Sequence, residues 1–252
     1  MSVASSRRVR RLAAVIGLGI AWEAASRVGL LNPLYASAPV AVVSVLWSLV
    51  AGGDLWPHLS ATLTAAVGGL AGGLVLGLAL GFAAALMPLV AELLEPVMIL
   101  LNAIPRVILA PLLVIWLGIG LSSKVALALV LVTVLVFFAV YSGIREVDRR
   151  LVERVVTLGG GRRVLIRDVY VPSITAGVLS NLKIAVGFAF TGAVVGEFVA
   201  SSRGLGYLLQ FAQSTYNASL TMALIAVIMV FTLLLFAMAE RLERWLLPWR
   251  FL

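Results

Sequence analysis

Six stretches of this chain are apolar for about 18 residues or more, and that single property excludes most folds. A helix rises 1.5 Å per residue, so about 20 apolar residues match a hydrocarbon layer roughly 30 Å thick. The runs lie at about 12–31, 61–87, 97–118, 125–144, 174–198 and 220–240. A water-soluble domain of 252 residues with 62% apolar side chains has no use for so many uninterrupted runs. The expected fold is all-α: a single transmembrane domain over residues 1–252, with six membrane-crossing helices.

The placement of charge orients them. Lys124 and Lys183 are the two lysines among 19 basic residues, which leaves 17 arginines and a formal net charge of +8. The arginines cluster at the N-terminal end (Arg7, Arg8, Arg10, Arg11), in 145–167 (Arg145, Arg149, Arg150, Arg154, Arg162, Arg163, Arg167) and near the C-terminal end (Arg241, Arg244, Arg250). The positive-inside rule puts all three groups, and both termini, in the cytoplasm, so nucleic-acid binding is not needed to explain the charge. Parity agrees only if 38–51, "APVAVVSVLWSLVA", does not cross. At about 21 Å it is too short, and it reads as an interfacial helix on the outer side, opened by Ser37 with Pro39 just inside. The start "MSVASSRRVRRLAAVIGLGI" imitates a signal peptide, but the apolar run continues past Glu23 without a convincing cleavage site, so a retained first helix is expected.

The helices carry distinct faces. Gly69, Gly73, Gly77 and Gly81 recur every four residues in the second span and cut a smooth groove for a neighbouring helix, within the subunit or across a subunit interface. In the third span Pro105 and Pro111 flank Arg106, which implies a helix bent beside a translocation path or kinked for packing. In the fifth span Lys183 and Glu197 lie 14 residues apart, about 21 Å along the axis and within about 40° of one direction. Charges at such depth face protein or water. Two explanations stand: a polar lane through the protein holding Arg106, Lys183 and Glu197, or a lysine and a glutamate each reaching for its nearer surface.

Several chemistries are excluded. With no cysteine there is neither a disulfide nor a thiolate metal site. Neither lysine follows a glycine-rich phosphate loop, and the lone histidine, His58 in "DLWPHL", is expected at the outer surface. No nucleophile–base or paired-carboxylate set stands out, so catalysis is not expected here, nor is any cofactor or metal on this chain.

The polar passage "VERVVTLGGGRRVLIRDVYVP", 152–172, interrupts the apolar pattern between the fourth and fifth spans. Residues 148–158 suit a helix with Leu151, Val155 and Leu158 on one side; Gly159, Gly160 and Gly161 break it; 162–169 suits a second short helix that Pro172 ends. Chemistry alone leaves a protein-docking knob and a basic loop lying on anionic headgroups equally open.

Glu153, Gly159, Val169, Val171 and Pro172 resemble the EAA motif of bacterial ABC importer permeases, with Arg154 and Val155 where that motif has two alanines. "IPRVILAPLLVIWLGIG" with "SSK", "GAVVGEFVASSRGLGYLL", and "AWEAASRVGL" before "SAPVAVV" are similar to the nitrate/sulfonate/taurine branch of those permeases, over roughly residues 20–250. The resemblance implies a type I importer permease of the bacterial inner membrane. It further implies a dimer of permeases, cytoplasmic ATPase subunits that bind ATP and Mg, and a periplasmic or lipid-tethered solute-binding protein. In such a protein 145–172 is the ATPase-coupling loop, using Glu153, Arg154, Val155, Leu158, Gly159, Gly160 and Pro172. The solute implied is a small anion such as a sulfonate, taurine or nitrate, with a thiamine-precursor pyrimidine or riboflavin as the alternative. A passive channel or membrane scaffold without an ATPase is the competing class, and an intramembrane enzyme a third.

Overall fold

The structure is a computed structural model that describes residues 3–32 and 35–246; Arg250 and the side chains of Arg7, Arg8, Arg11 and Arg106 lie outside the described residues. It is all-helical, with no strand among the described residues: α1 (Val3–Arg27), α2 (Pro39–Ala51), α3 (Leu55–Leu86), α4 (Pro88–Ala103), α5 (Arg106–Leu117), α6 (Leu121–Arg145), α7 (Arg149–Thr157), α8 (Arg162–Leu165), a π-turn (Ile166–Tyr170), α9 (Val171–Ser180), α10 (Leu182–Val199), α11 (Leu205–Ser214) and α12 (Ala218–Leu246).

Among the described residues four helices, α3, α6, α10 and α12, are long and apolar enough to cross a membrane, and α4 with α5 makes a fifth if that bent pair is one span. The other expected span, 12–31, is replaced by α1, which starts earlier and stops at Arg27. Its last 18 residues carry Arg10, Arg11, Glu23 and Arg27, so only the eleven residues between Arg11 and Glu23 are free of charge.

The α3–α6 pair is the spine. Gly69, Gly73, Gly77 and Gly81 face Ala128, Val132, Val136 and Val140 of α6, one four-residue step against another, which makes the two helices parallel. A methyl built on Gly73 would lie 2.5 Å from the Val132 Cβ, and one on Gly77 2.6 Å from the Val136 Cβ. Only glycine admits that approach. From the other side α10 runs antiparallel to α6, with Gly192 against Ala128 and Gly196 against Lys124. Val132, Val136 and Val140 of α6, with Ala185 and Ala189 of α10, are buried in one core between the three helices.

Two expected helices are interrupted and a third is extended, each for a local reason. The expected helix 97–118 is two helices bent by 111°. Ile104 takes extended backbone, because the ring of Pro105 pushes the residue before it out of the helical region, and Pro105 follows it out of the helix with ψ 125°. The expected helix 174–198 is divided at Asn181, whose side-chain amide donates to the Gly177 carbonyl at 2.9 Å and closes α9. The second loop helix, expected over 162–169 and ended by Pro172, is instead one turn of α8 running through the π-turn into α9. Pro172 sits in the first turn of α9, so it opens a helix rather than ending one. A proline there needs no N–H partner, and the wide turn, with the Val171 N–H donating to the Ile166 carbonyl, precedes it.

Ser37 is also reassigned. Ala38 occupies the cap position of α2, and the Ser37 hydroxyl, buried, meets the Ser219 hydroxyl at 2.6 Å, tying the start of α2 to that of α12. The free N–H of Val40 in the first turn of α2 is met instead by the Glu23 carboxylate at 3.1 Å.

Candidate functional site

Two polar regions occupy opposite ends of this bundle. At one end α3 terminates beside the arginine-rich loop, where the Arg162 guanidinium donates to the Leu86 carbonyl at 3.3 Å. In the loop, Asp148 caps α7 by accepting from the Arg150 N–H at 2.8 Å. The helix ends in a Schellman turn: the Gly160 N–H donates to the Val155 carbonyl at 2.8 Å and the Gly159 N–H to the Val156 carbonyl at 3.0 Å. Gly159 has φ +80°, which favours glycine, and a side chain on Gly160 would strike the Val155 carbonyl. Gly161 is extended and opens α8.

None of the α7 residues is buried. Leu158 is 87% exposed, and Leu151 and Val156 are exposed with it, while Val155 leans on Gly160. At the two positions where the EAA motif has alanines, Val155 therefore finds room inside the turn and Arg154 points to solvent. Glu153 keeps a side chain 67% exposed, with Arg149 3.5 Å away and itself almost fully exposed. An exposed carboxylate and exposed leucines on a short capped helix suit the docking of a protein.

The other end carries a buried cluster on Glu197. Its Oε2 accepts from the Thr62 hydroxyl at 2.8 Å and from the Gly206 N–H at 3.0 Å, and the Thr62 Oγ1 accepts from the Leu205 N–H at 2.9 Å. The segment 200–206 is thus folded down onto α10 and α3. Gly204 (φ +121°) sits so close to the Glu197 carboxylate that any side chain would collide with it, and Gly206 lies as close to the Val194 carbonyl. His58, expected at the surface, is half-buried in the same cluster: its Nδ1 accepts from the Gly204 N–H at 3.1 Å and its ring stacks on Tyr207. Lys124, 3% exposed, donates to the Ile119 carbonyl at 2.8 Å and lines, with Glu197, an open cavity of about 370 Å³.

The remaining sequence-read positions fall elsewhere. Lys183 is half-exposed at the loop end of α10, 3.8 Å from Glu240 of α12 and over the Phe236 ring, so it does not join Glu197. Glu240 also pairs with Arg244. Arg106 opens α5, its side chain outside the described residues. Thr62, Lys124 and His58 escaped sequence reasoning. A usable signal existed, since Glu197 falls inside a long apolar run and Lys124 immediately before another. Among the described residues no group of three or more His, Cys, Asp or Glu side chains could hold a metal ion.

Residues 73–248 match the family described as binding-protein-dependent transport system inner membrane component. The chain is similar, at 38% identity over 228 residues, to the riboflavin transport system permease protein RibX of Chloroflexus aurantiacus, covering 90% of this chain and 85% of that protein. It is 30% identical over 233 residues to the taurine transport system permease protein TauC of Escherichia coli, again covering 90% and 85%. In fold it resembles an inward-facing structure of the MetNI methionine ABC transporter, with TM-score 0.61 and 20% identity, over 79% of this chain and 95% of that one.

Proposed function

The chain belongs to the binding-protein-dependent transport system inner membrane components and is the permease subunit of an ABC importer; from that premise we propose how it couples and what it carries. It is not an enzyme, ATP hydrolysis being the work of a separate subunit, and it resides in the inner membrane. Permeases of this class work in pairs with ATPase and substrate-binding partners.

The loop 145–172 is the ATPase-docking knob on the cytoplasmic side, and the permease pair is a homodimer. The observation that carries this is α7 itself: capped and rigidly turned at both ends, yet buried nowhere and bare at Glu153 and Leu158. A free-standing nine-residue helix is marginal in water, so one so fully specified is kept for a surface not contained in this chain. Glu153 supplies the charge contact and the Gly159–Gly160 turn holds the helix at a fixed angle. ATP and Mg bind on the partner ATPase. Closure of that ATPase draws the docked helices together and tilts the spans, which requires ATP to favour one of the two permease arrangements. A channel would conduct in proteoliposomes alone; this chain is expected to move solute only with ATPase and binding protein added, and autonomous flux would reject the proposal.

The solute we assign is a small anion (a sulfonate, taurine, or nitrate), in keeping with the similarity to a taurine permease. Riboflavin is a second reading, favoured by the higher identity to a riboflavin permease. Thermal shift of the partner binding protein against taurine, alkyl sulfonates, nitrate, a formylaminopyrimidine and riboflavin separates them, and stabilisation by riboflavin alone would replace the anion assignment.

A further inference from the structure

The cavity at the end remote from the arginine loop has a use that the docking function leaves untouched. It lies between α3, the link joining α5 to α6, and the segment after α10. Lys124 and Glu197 are at its buried side, Arg203 is exposed at its rim, and Ser60, Thr64 and Ser202 add hydroxyls. Its volume, about 370 Å³, is that of a small-molecule site.

The charges are not equivalent. Glu197 has its Oε2 committed to Thr62 and Gly206, so the carboxylate holds the protein together. Lys124 has one N–H on the Ile119 carbonyl, and an ammonium carries three. Among the described residues Arg203 has no ion pair, and its backbone is held through Ser201. Lys124 and Arg203 against the one carboxylate of Glu197 leave the lining with an excess of one positive charge, and Arg203 is the cation farther from that carboxylate's buried hydrogen bonds. The concave wall concentrates that field on a small solute more than a flat surface would.

We propose that this cavity is an anion-accepting subsite of the permease, where Lys124 and Arg203 receive the sulfonate, carboxylate or phosphate group of a small solute beside Ser202. This deepens the anion assignment and rests on it for the solute, but not for the field, which belongs to the cavity. Oxyanions reach such a place from two sources, a passing solute or an outer-leaflet phospholipid headgroup, and the shared chemistry is a singly or doubly charged oxyanion.

The chain has no cysteine, so a thiol placed at exposed Thr64 reports on this cavity alone. The full chain carrying Thr64→Cys, in nanodiscs of neutral phosphatidylcholine, is reacted with sulfonatoethyl and with trimethylammonioethyl methanethiosulfonate, which carry opposite charges. The sulfonate reagent is expected to react on the order of tenfold faster, relative to the same pair on a free thiol. Arg203→Gln, at an exposed position with no fold at stake, should cut that preference several-fold, and Lys124→Gln should cut it further. No preference, or a preference unmoved by Arg203→Gln, overturns the subsite whatever the permease transports. Protection of the thiol by millimolar taurine in neutral discs supports a solute occupant. Protection found only in phosphatidylglycerol discs, and not with taurine, overturns the solute assignment in favour of a headgroup. Whether the permease imports at all is read separately, from ATPase-dependent uptake, so failure of one test leaves the other intact.

Discussion

Two glutamates divide the labour of this molecule. Glu197 is 3% exposed, holds a hydroxyl and a backbone N–H, and fixes a loop to two helices. Glu153 stands on a solvated helix with one exposed arginine 3.5 Å away. The same carboxylate is structural where the chain supplies its partners and interactive where it does not. Burial of a charge without partners costs several kcal/mol, so Glu197 is where it is only because Thr62, Leu205 and Gly206 are too. An exposed carboxylate is cheap to keep and contributes almost nothing until something docks on it.

That contrast can be broken from either side. The largest effect should come from Glu153→Arg, with uptake falling to background and the ATPase lost on co-purification while membrane insertion and thermal melting stay as in the parent; normal uptake would end the docking assignment. Glu197→Leu should act in reverse, removing an acceptor from Thr62 and Gly206 at a cost of about 3–5 kcal/mol, seen as a marked fall in melting temperature in detergent with ATPase binding retained in whatever folds. Glu197→Gln, which keeps one acceptor in place, should lose clearly less. Gly73→Val, forcing a side chain against Val132, should cost about 1–3 kcal/mol by the same melting assay. Gly159→Ala, at φ +80°, should cost about 1 kcal/mol locally and weaken ATPase affinity a few-fold without moving global melting. Arg149→Ala sits at the small end, within about 0.5 kcal/mol by melting, and a large loss of stability there would show the α7 surface to be less independent than described.

The loop was more legible than the cluster, for a physical reason. Local signals write a helix–turn: Asp148 as cap, three glycines as break, apolar residues at helical spacing, all within reach of one another in the chain. The bundle itself was legible from long apolar runs, which is why α3, α6, α10 and α12 lie near their expected positions. The breaks were less so. Pro105 marked a bend but not its 111° size, because angle is decided by what the two halves pack against. Asn181 gave no warning, since an amide mid-helix folds back only when its neighbours allow it. The Glu197 cluster joins residues 58, 62, 197 and 204–206, over a hundred positions apart, and no pattern within one segment shows that Thr62 faces Glu197 rather than lipid. His58 misled for the same reason: a lone histidine beside a helix start reads as surface until the chain beyond Arg203 is laid over it.

The glycine ladder of α3 has a mechanical corollary. With Gly69, Gly73, Gly77 and Gly81 each seated against one α6 residue, sliding either helix by less than a full turn drives backbone into side chain at every rung. The pair has no intermediate position to rest in. A motion that changed access across the membrane would therefore carry α3 and α6 as one beam.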